Sequence, residues 1–360
     1  MASRPSPTSE RPTYLDVLDN EHRNVLERAV RNLMSTEVAE AIYAQILDGL
    51  PTEKSLRDSS DYVKDHPVHS IQHTEICPGY VEKAREFSNQ FDLSQLQIKF
   101  KTIKAFEDAL PGSEQFSLRL IELVAVACHE IGAHLFDLDD GAHKYKVYEE
   151  WRQTVLEEKE RRVESQRYYD PPPIAFCHRE YRYPEQYPKG LADVAGYWAE
   201  SKILGVVVVF DRGETEQECN AMWIHGDLIR GPRTLYSPTK EQFDALTRFL
   251  TNPLEEGLIC PFPIHGASVN RPRWRPYHAF AYYHIFRDRY ERKLPPNPPQ
   301  PGCVEDGMDW PELDDRRILL LGGFSNAQGE PYVNDDEYAA ATVRIKNITP
   351  SSPLWRPSEI

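Results

Sequence analysis

Apolar residues recur every three or four positions across residues 14–47, a spacing typical of amphipathic helices. The positions are Val25, Leu26, Val30, Leu33, Val38, Ile42 and Ile46. Ser35 and Thr36 interrupt the series, so we predict two helices, the second of which ends near Gly49 and Pro51. Similar patterns predict helices over residues 79–91, 116–138, 144–167, 193–201 and 276–293, and another that begins at Ser237 or Thr239.

The helix predicted over residues 116–138 is apolar nearly all round, so we expect it to be buried. Ser113 precedes it as a suitable N-cap. The segment 144–167 is instead dense in Glu, Lys and Arg, which favours a solvated helix with ion pairs between adjacent turns. Three consecutive prolines at 171–173 cannot continue that helix, and they mark a boundary between two regions.

A continuous apolar run over residues 203–210, with four consecutive valines, predicts a β-strand covered on both faces. A second short apolar run, 221–225, predicts a partner strand. If the two strands pair about the middle of the polar connection, one face carries Val206, Val208, Phe210, Trp223 and His225.

These elements predict an α+β fold in which a helical N-terminal half packs on a small antiparallel or mixed β-sheet with flanking helices. We expect a flexible lead over residues 1–13, a mainly helical region over 14–168, an α+β region with a β-hairpin core over 171–294, and a Pro-rich, acidic segment over 295–360. Within the last segment, residues 318–321 predict an edge strand. The two halves can share one core, because the helix over 116–138 needs a surface against which to bury.

The formal charge of −15 argues against broad, non-specific binding to nucleic acid, which requires a positive surface. The polar N-terminus lacks the apolar core of a secretory signal, and no run reaches the length of a membrane span. The six cysteines include no C-x-x-C pair, so we interpret them as reduced thiols. We therefore expect a cytoplasmic protein, with the nucleus as an alternative, that is neither secreted nor bound to a membrane.

Histidines supply one candidate metal site: His66, His69 and His73 precede Cys77 at helical spacing, and these residue types suit Zn²⁺ or Cu. Because Pro67 disrupts a helix there, we favour a polar surface loop over a metal site. A second pair, His129 and His134, differs from the zinc-protease motif H-E-x-x-H by one position. The two rings then lie on different helix faces, so we interpret them as structural.

The end of the predicted hairpin is the candidate catalytic site. Asp211, His225 and Glu200 are candidate acid–base residues, since a carboxylate beside an imidazole is the minimum for proton transfer. The candidate residues for anion or substrate binding are Arg212, Arg271, Arg273, Arg275, Trp198 and Trp223. The three arginines at 271–275 alternate with Pro and Trp, as a clamp for a small anion or an RNA backbone would, although internal ion pairing is the alternative.

No nucleotide-binding, hydrolase or kinase motif is present, so no cofactor is indicated. Residues 190–227, the stretch RPRWRPYHAFAYYHIFRDRYERK at 271–293 and DWPELDD at 309–315 resemble a family of proteins of unassigned function from filamentous ascomycete fungi. The resemblance covers most of residues 110–320 and implies a cytosolic fungal protein linked to secondary metabolism. It supplies no catalytic residues.

Three functional hypotheses follow. The first is an enzyme or accessory enzyme that acts on a small polar metabolite, a reaction type the sequence does not specify. The second is a tRNA-dependent enzyme that forms peptide bonds, similar to a cyclodipeptide synthase, with RNA as partner. The third is a non-catalytic interaction protein that uses its polyproline segments and the charged helix over 144–167 as contact surfaces.

Overall fold

The computed structural model describes residues 17–346, with gaps at 58–65, 97, 139–140, 144–145, 162–169, 227–233, 256, 268, 292–309 and 311. The helices are α1 (Asn20–Met34), α2 (Glu37–Asp48), α3 (Glu53–Arg57), α4 (Pro67–Ser70), α5 (Tyr80–Gln90), α6 (Phe100–Glu107), α7 (Glu114–Asp137), α8 (Lys146–Arg161), α9 (Leu191–Ile203), α10 (Lys240–Thr251), α11 (Pro276–Tyr282), α12 (Glu312–Leu321) and α13 (Asp335–Lys346). The strands are β1 (Val207–Asp211), β2 (Met222–His225), β3 (Leu235–Tyr236), β4 (Arg273–Trp274) and β5 (Ile285–Phe286). They form one antiparallel sheet in the order β4–β3–β2–β1–β5, so the predicted α+β class is confirmed.

Side-chain caps fix several helix starts where the sequence places them. The side chains of Thr36 and Ser113 accept hydrogen bonds from backbone N–H groups in the first turns of α2 and α7. Thr239 and Gln242 form a reciprocal capping box at the start of α10. A cap of this kind stabilises a helix by about 1 kcal/mol, so these boundaries are encoded locally.

Helix α7 runs through the core and packs most extensively against α9. Two glycines allow the approach: a Cβ added at Gly132 would lie 2.7 Å from the Cβ of Ala199, and one added at Gly196 would lie 2.7 Å from the carbonyl oxygen of His129. Buried side chains from α1 through β5 belong to the same apolar cluster. The proline-marked boundary at 171–173 therefore divides the sequence, while one core joins both sides.

Helix α1 contacts α10, which lies far away in sequence. The Asn32 side chain is buried and donates hydrogen bonds to the carbonyl oxygens of Phe249, at 2.7 Å, and Asn252, at 2.8 Å. These bonds fasten the first helix of the N-terminal region to the last turn of a helix from the C-terminal region.

The β1–β2 register differs from the predicted one by a single residue. Val207 pairs with His225 and Val209 pairs with Trp223. Directly opposed residues share a face, so Trp223 and His225 lie with the odd-numbered valines rather than with Val206, Val208 and Phe210. The error is a consequence of the ten-residue connection between the strands, which fixes the position of the turn only loosely.

Three further predictions about elements are wrong. The strand predicted over 203–210 begins only at Val207, because α9 extends through Ile203. The helix predicted over 276–293 ends at Tyr282, and β5 follows because Ile285 and Phe286 pair with the edge of β1. Residues 318–321 lie in α12 rather than in an edge strand. The expected lead at 1–13 and the polyproline segment at 295–301 lie outside the described residues. Within the described ranges, no helix combines the length and apolarity needed to cross a bilayer.

Candidate metal centre

Four side chains with metal-binding donor atoms converge beside the C-terminal end of α2. They are Asp48, His73, Cys77 and His143. One donor atom from each lies within 4.8 Å of the donors of the other three. The residues come from three separate parts of the chain, so tertiary packing assembles the group.

Asp48 is the last residue of α2 and is fully buried. Gly49 follows with φ of 97°, a left-handed conformation that ends the helix and that glycine adopts without a Cβ penalty. The Oδ2 atom of Asp48 accepts a hydrogen bond from the Cys77 backbone N–H at 3.0 Å. The Oδ1 atom is buried and has no hydrogen-bond partner among the described residues. A buried carboxylate oxygen without a donor is costly and calls for an explanation.

His73 has an oxygen acceptor at each ring nitrogen. Its Nδ1 atom lies 3.0 Å from the carbonyl oxygen of Pro51, and its Nε2 atom lies 3.0 Å from Oδ2 of Asp48. A neutral imidazole carries only one N–H, so it cannot donate to both. Either the ring is protonated, or a cation lies between Nε2 and the carboxylate. A hydrogen bond from the remote ring nitrogen to a backbone carbonyl is what metal-bound histidines commonly show.

Cys77 and His143 complete the group from the opposite side. The Sγ atom of Cys77 lies 3.3 Å from Nε2 of His143, and the rings of His73 and His143 meet edge to face at 4.9 Å. The loop after α7 reaches α2 because Gly141 has no side chain: a Cβ there would lie 2.5 Å from the carbonyl oxygen of Leu47. The His143 backbone N–H then donates to the carbonyl oxygen of Asp48 at 2.9 Å.

Electrostatics favour a cation in this group. Burial acts to raise the pKa of Asp48, but hydrogen bonds from His73 and the Cys77 backbone outweigh it, and the pKa lies below its ordinary value. The hydrogen bond to Asp48 raises the pKa of His73. Burial, with the Asp48 charge, raises the pKa of the Cys77 thiol. A bound metal ion would displace the protons held by His73 and Cys77, which makes its affinity pH-dependent.

The donor set fits Zn²⁺. Zinc takes thiolate, imidazole and carboxylate ligands in a tetrahedron, with bond lengths of about 2.0–2.3 Å that place neighbouring donors about 3.3–3.7 Å apart. Two separations in this group, 3.0 Å and 3.3 Å, are already close to that spacing. Four protein donors fill every tetrahedral position, as in structural rather than catalytic zinc sites.

A large cleft lies next to this group. It has a volume of about 1300 Å³, and its lining includes the α2 residues Val38, Ile42 and Gln45. Thr74, Glu75 and Ile76, the three residues between the donors His73 and Cys77, form another part of its wall. Whatever fixes His73 and Cys77 therefore also fixes this wall of the cleft.

The other two predicted metal ligands do not join the group. His66 is buried, caps α4 by accepting from the Val68 N–H at 3.2 Å, and packs against Tyr148. Desolvation lowers the pKa of His66 to about 4. Nδ1 of His69 lies 3.3 Å from a carboxylate oxygen of Glu53. Pro67 begins a four-residue helix, so the three histidines never share one helix face.

The predicted acid–base pair is not formed. His225 is fully buried opposite Val207 and lies 3.1 Å from the Tyr181 hydroxyl. Asp211 lies four residues along β1, about 13 Å away at the rise of a strand. Glu200 is buried and accepts from the Val208 N–H and from a guanidinium, at 2.8 and 2.7 Å. Desolvation raises the pKa of Glu200.

The predicted arginine clamp is also absent. Arg273 is buried and donates to the carbonyl oxygens of Ala267 and Asn270, while Arg275 is buried beside the start of α11. Arg271 lies 3.3 Å from Glu312. This is the internal pairing considered as the alternative.

The remaining predicted binding residues are all buried. Trp198 packs edge to face on Phe176, and Trp223 lies in β2. Neither tryptophan lines the cleft. Arg212 donates to Glu122 at 2.8 Å and lines a different, smaller cavity described below.

His129 and Glu130 each have a side-chain partner, and with Asp193 they form another group of possible metal ligands. His129 Nε2 lies 2.9 Å from Asp193, and Lys189 donates to Glu130 at 2.5 Å. Compared with known proteins, the chain matches no family model, no curated protein and no solved structure.

Proposed function

We propose that this protein binds one Zn²⁺ ion through Asp48, His73, Cys77 and His143. The observation that carries the proposal is His73, whose two ring nitrogens both face oxygen acceptors at 3.0 Å. A protonated ring would explain His73 alone. It would not explain why Cys77 and His143 converge on the same point, or why Oδ1 of Asp48 is buried with no hydrogen-bond partner in the described part of the chain.

The zinc ion is structural in this proposal. It joins the end of α2, the segment that holds His73 and Cys77, and the loop after α7. By holding the two ends of that segment, it keeps Thr74, Glu75 and Ile76 in place as a wall of the cleft. A wall that is fixed before a ligand arrives reduces the ordering cost of binding.

The cleft is the place where we put the small-molecule function inferred from the sequence. Its lining combines apolar residues of α2 with three cations, Lys54, Arg57 and Lys202, and two carboxylates, Glu37 and Glu75. This composition suits a polar metabolite with an apolar part and a negative charge. The hypothesis of an enzyme or accessory enzyme acting on such a metabolite therefore moves from the β-hairpin to the cleft, and Asp211 and His225 have no part in it.

Metal content tests the proposal directly. Native mass spectrometry of protein purified with zinc in every buffer should show one zinc ion per chain. At a free zinc concentration about ten times the wild-type dissociation constant, Cys77→Ser and His143→Ala should be largely zinc-free, because losing one donor weakens affinity about 100-fold. Under the same conditions Cys260→Ser and His69→Ala, which alter an exposed thiol and a non-ligand histidine, should retain the ion. Cobalt substitution adds an independent readout, because a thiolate-to-cobalt charge-transfer band should appear in the wild type and disappear in Cys77→Ser.

Zinc-free wild-type protein after this treatment, or zinc retained by both Cys77→Ser and His143→Ala, would refute the assignment. A separate screen tests the cleft. Polar metabolites that stabilise the protein against heat should do so more strongly with zinc than after chelation, because the metal orders the wall formed by Thr74, Glu75 and Ile76.

A further inference from the structure

A second cavity, which we name the arginine cavity, lies between α6, α7 and α9, away from the proposed zinc site. Its volume is about 140 Å³. Its lining includes Lys101, Ala105, Arg119, Tyr197, Arg212 and Arg287. Three of the four cations in this set, the arginines, are more than nine-tenths buried. Buried arginines need acceptors for their N–H groups, so an N–H group without an acceptor marks a position where a ligand oxygen can bind.

Two of the arginines share one carboxylate. Arg119 and Arg212 each donate to Glu122 at 2.8 Å. The remaining guanidinium nitrogens of Arg212 donate to backbone carbonyl oxygens, among them that of Phe286 at 3.0 Å. Glu122 therefore faces two positive charges with one negative charge, and this wall of the cavity has a positive excess.

Arg287 has a free donor at the cavity. Its Nη1 atom donates to Glu200 at 2.7 Å and its Nε atom to Glu291 at 3.2 Å, while the guanidinium lies over the Tyr197 ring at 5.2 Å. No described residue accepts a hydrogen bond from Nη2. The side chain is 4% exposed, so this charged donor is held in a site nearly closed to bulk water.

The carboxylates that line the cavity already have cationic partners. The pairs are Asp288 with Lys99, Glu122 with Arg119 and Arg212, Glu130 with Lys189, and Glu216 with Arg289. Lys101 has no partner among the described residues, and it is exposed, which places it at the opening. Nδ1 of His129, another lining residue, also has no hydrogen-bond partner among the described residues. In a chain of net charge −15, a cavity that offers an ammonium and a guanidinium N–H without acceptors is a local exception.

From these contacts we infer that the arginine cavity binds a small organic anion whose carboxylate or phosphate group accepts from Nη2 of Arg287, with Lys101 at the entrance. Guanidinium groups bind both kinds of oxyanion through charge-assisted hydrogen bonds. The volume is close to that of an engineered cavity of about 150 Å³ that takes up benzene, so the ligand has roughly six to eight non-hydrogen atoms.

Isothermal titration calorimetry at constant ionic strength tests this inference with two probes, inorganic phosphate and succinate. At least one should bind saturably with one site per chain. Lys101→Glu should weaken that binding about tenfold or more, because it reverses a charge at the opening. Lys104→Glu is the matched control: it makes the same change on the same helix, outside the cavity lining, and should shift the dissociation constant less than twofold.

A variant that fills the cavity tests the inference without changing any charge. Ala105→Leu enlarges a side chain that lines the cavity and should abolish binding of either probe. Binding that survives Ala105→Leu, equal losses in the two lysine variants, or no saturable binding of either probe would overturn the inference. The outcome is independent of the zinc proposal, because His143→Ala should bind the anion as the wild type does.

Discussion

The substitution His143→Ala separates a zinc-dependent contribution to stability from an ordinary packing contribution. His143 is half-buried, and its side chain contacts Cys77 and His73, while its backbone N–H supports the loop whether or not the ring is present. In zinc-free protein the substitution should therefore change the free energy of unfolding by about 0.5–1 kcal/mol. With zinc, it also removes one of four donors.

The size of the zinc-dependent part follows from linkage. At a free zinc concentration of about 1,000 times the dissociation constant, binding stabilises the native state by about 4.1 kcal/mol. If losing one donor weakens affinity about 100-fold, the variant keeps about 1.4 kcal/mol at that zinc concentration, a loss of about 2.7 kcal/mol. The melting temperature should then fall by about 4 °C in zinc.

The assay is unfolding followed by circular dichroism, in zinc-buffered and chelator-treated samples of the wild type, His143→Ala and the control His69→Ala. The wild type and His69→Ala should both lose stability on chelation. His143→Ala should lose much less, about 1.4 kcal/mol against about 4.1 kcal/mol for the wild type, because it binds zinc more weakly. The reasoning is refuted if wild type and His143→Ala differ in stability by the same amount with zinc and after chelation. It is also refuted if zinc does not change the stability of the wild type.

Three other predictions rest on the core. Desolvation lowers the pKa of His66 to about 4 and of His178 to about 3, so below pH 6.5 the unfolded chain binds more protons than the folded one. Each of the two residues should therefore lower the free energy of unfolding by about 2 kcal/mol between pH 7 and pH 5. His66→Asn keeps the cap acceptor and should weaken this pH dependence of the free energy of unfolding, as measured by urea unfolding. Gly132→Ala should cost about 1–3 kcal/mol in the same assay, because its Cβ would lie 2.7 Å from that of Ala199, and a gain in stability would contradict this packing. Arg287→Met should cost about 3–5 kcal/mol by leaving two buried carboxylates unpaired, and a loss below 1 kcal/mol would show that they are protonated.

Elements specified by local signals were predictable from the sequence. The cap at Ser113 and the capping box at Thr239 satisfy backbone groups within a few residues, so α7 and α10 begin where the sequence indicates. The segment 276–293 has an equally helical pattern, yet Ile285 and Phe286 within it pair with the edge of β1. The backbone N–H and C=O groups at an exposed sheet edge need hydrogen-bond partners, and pairing with them outweighs the local helix propensity of this segment.

The candidate metal centre was only half visible in the sequence. His73 and Cys77 lie four residues apart, and the sequence indicates them together with His66 and His69 as a candidate metal site. The other two donors lie far away: Asp48 precedes His73 by 25 residues, and His143 follows Cys77 by 66. No spacing rule joins residues across such intervals. The nearest signal is Gly141, whose missing side chain lets the loop reach α2, and its importance is apparent only once the partner helix is in place.

The shared core sets an order of events during synthesis. Helix α7 ends at Asp137, and its main partner α9 begins 54 residues later, at Leu191. At about 5–20 residues per second, α9 is synthesised about 3–11 s after α7, and α7 lacks its main partner during that time. The hydrogen bond from Asn32 to Phe249 spans 217 residues, so it can form only about 11–43 s after Asn32 is synthesised. The nascent N-terminal half therefore emerges with an apolar surface that only later sequence covers, which makes it a natural client for ribosome-associated chaperones.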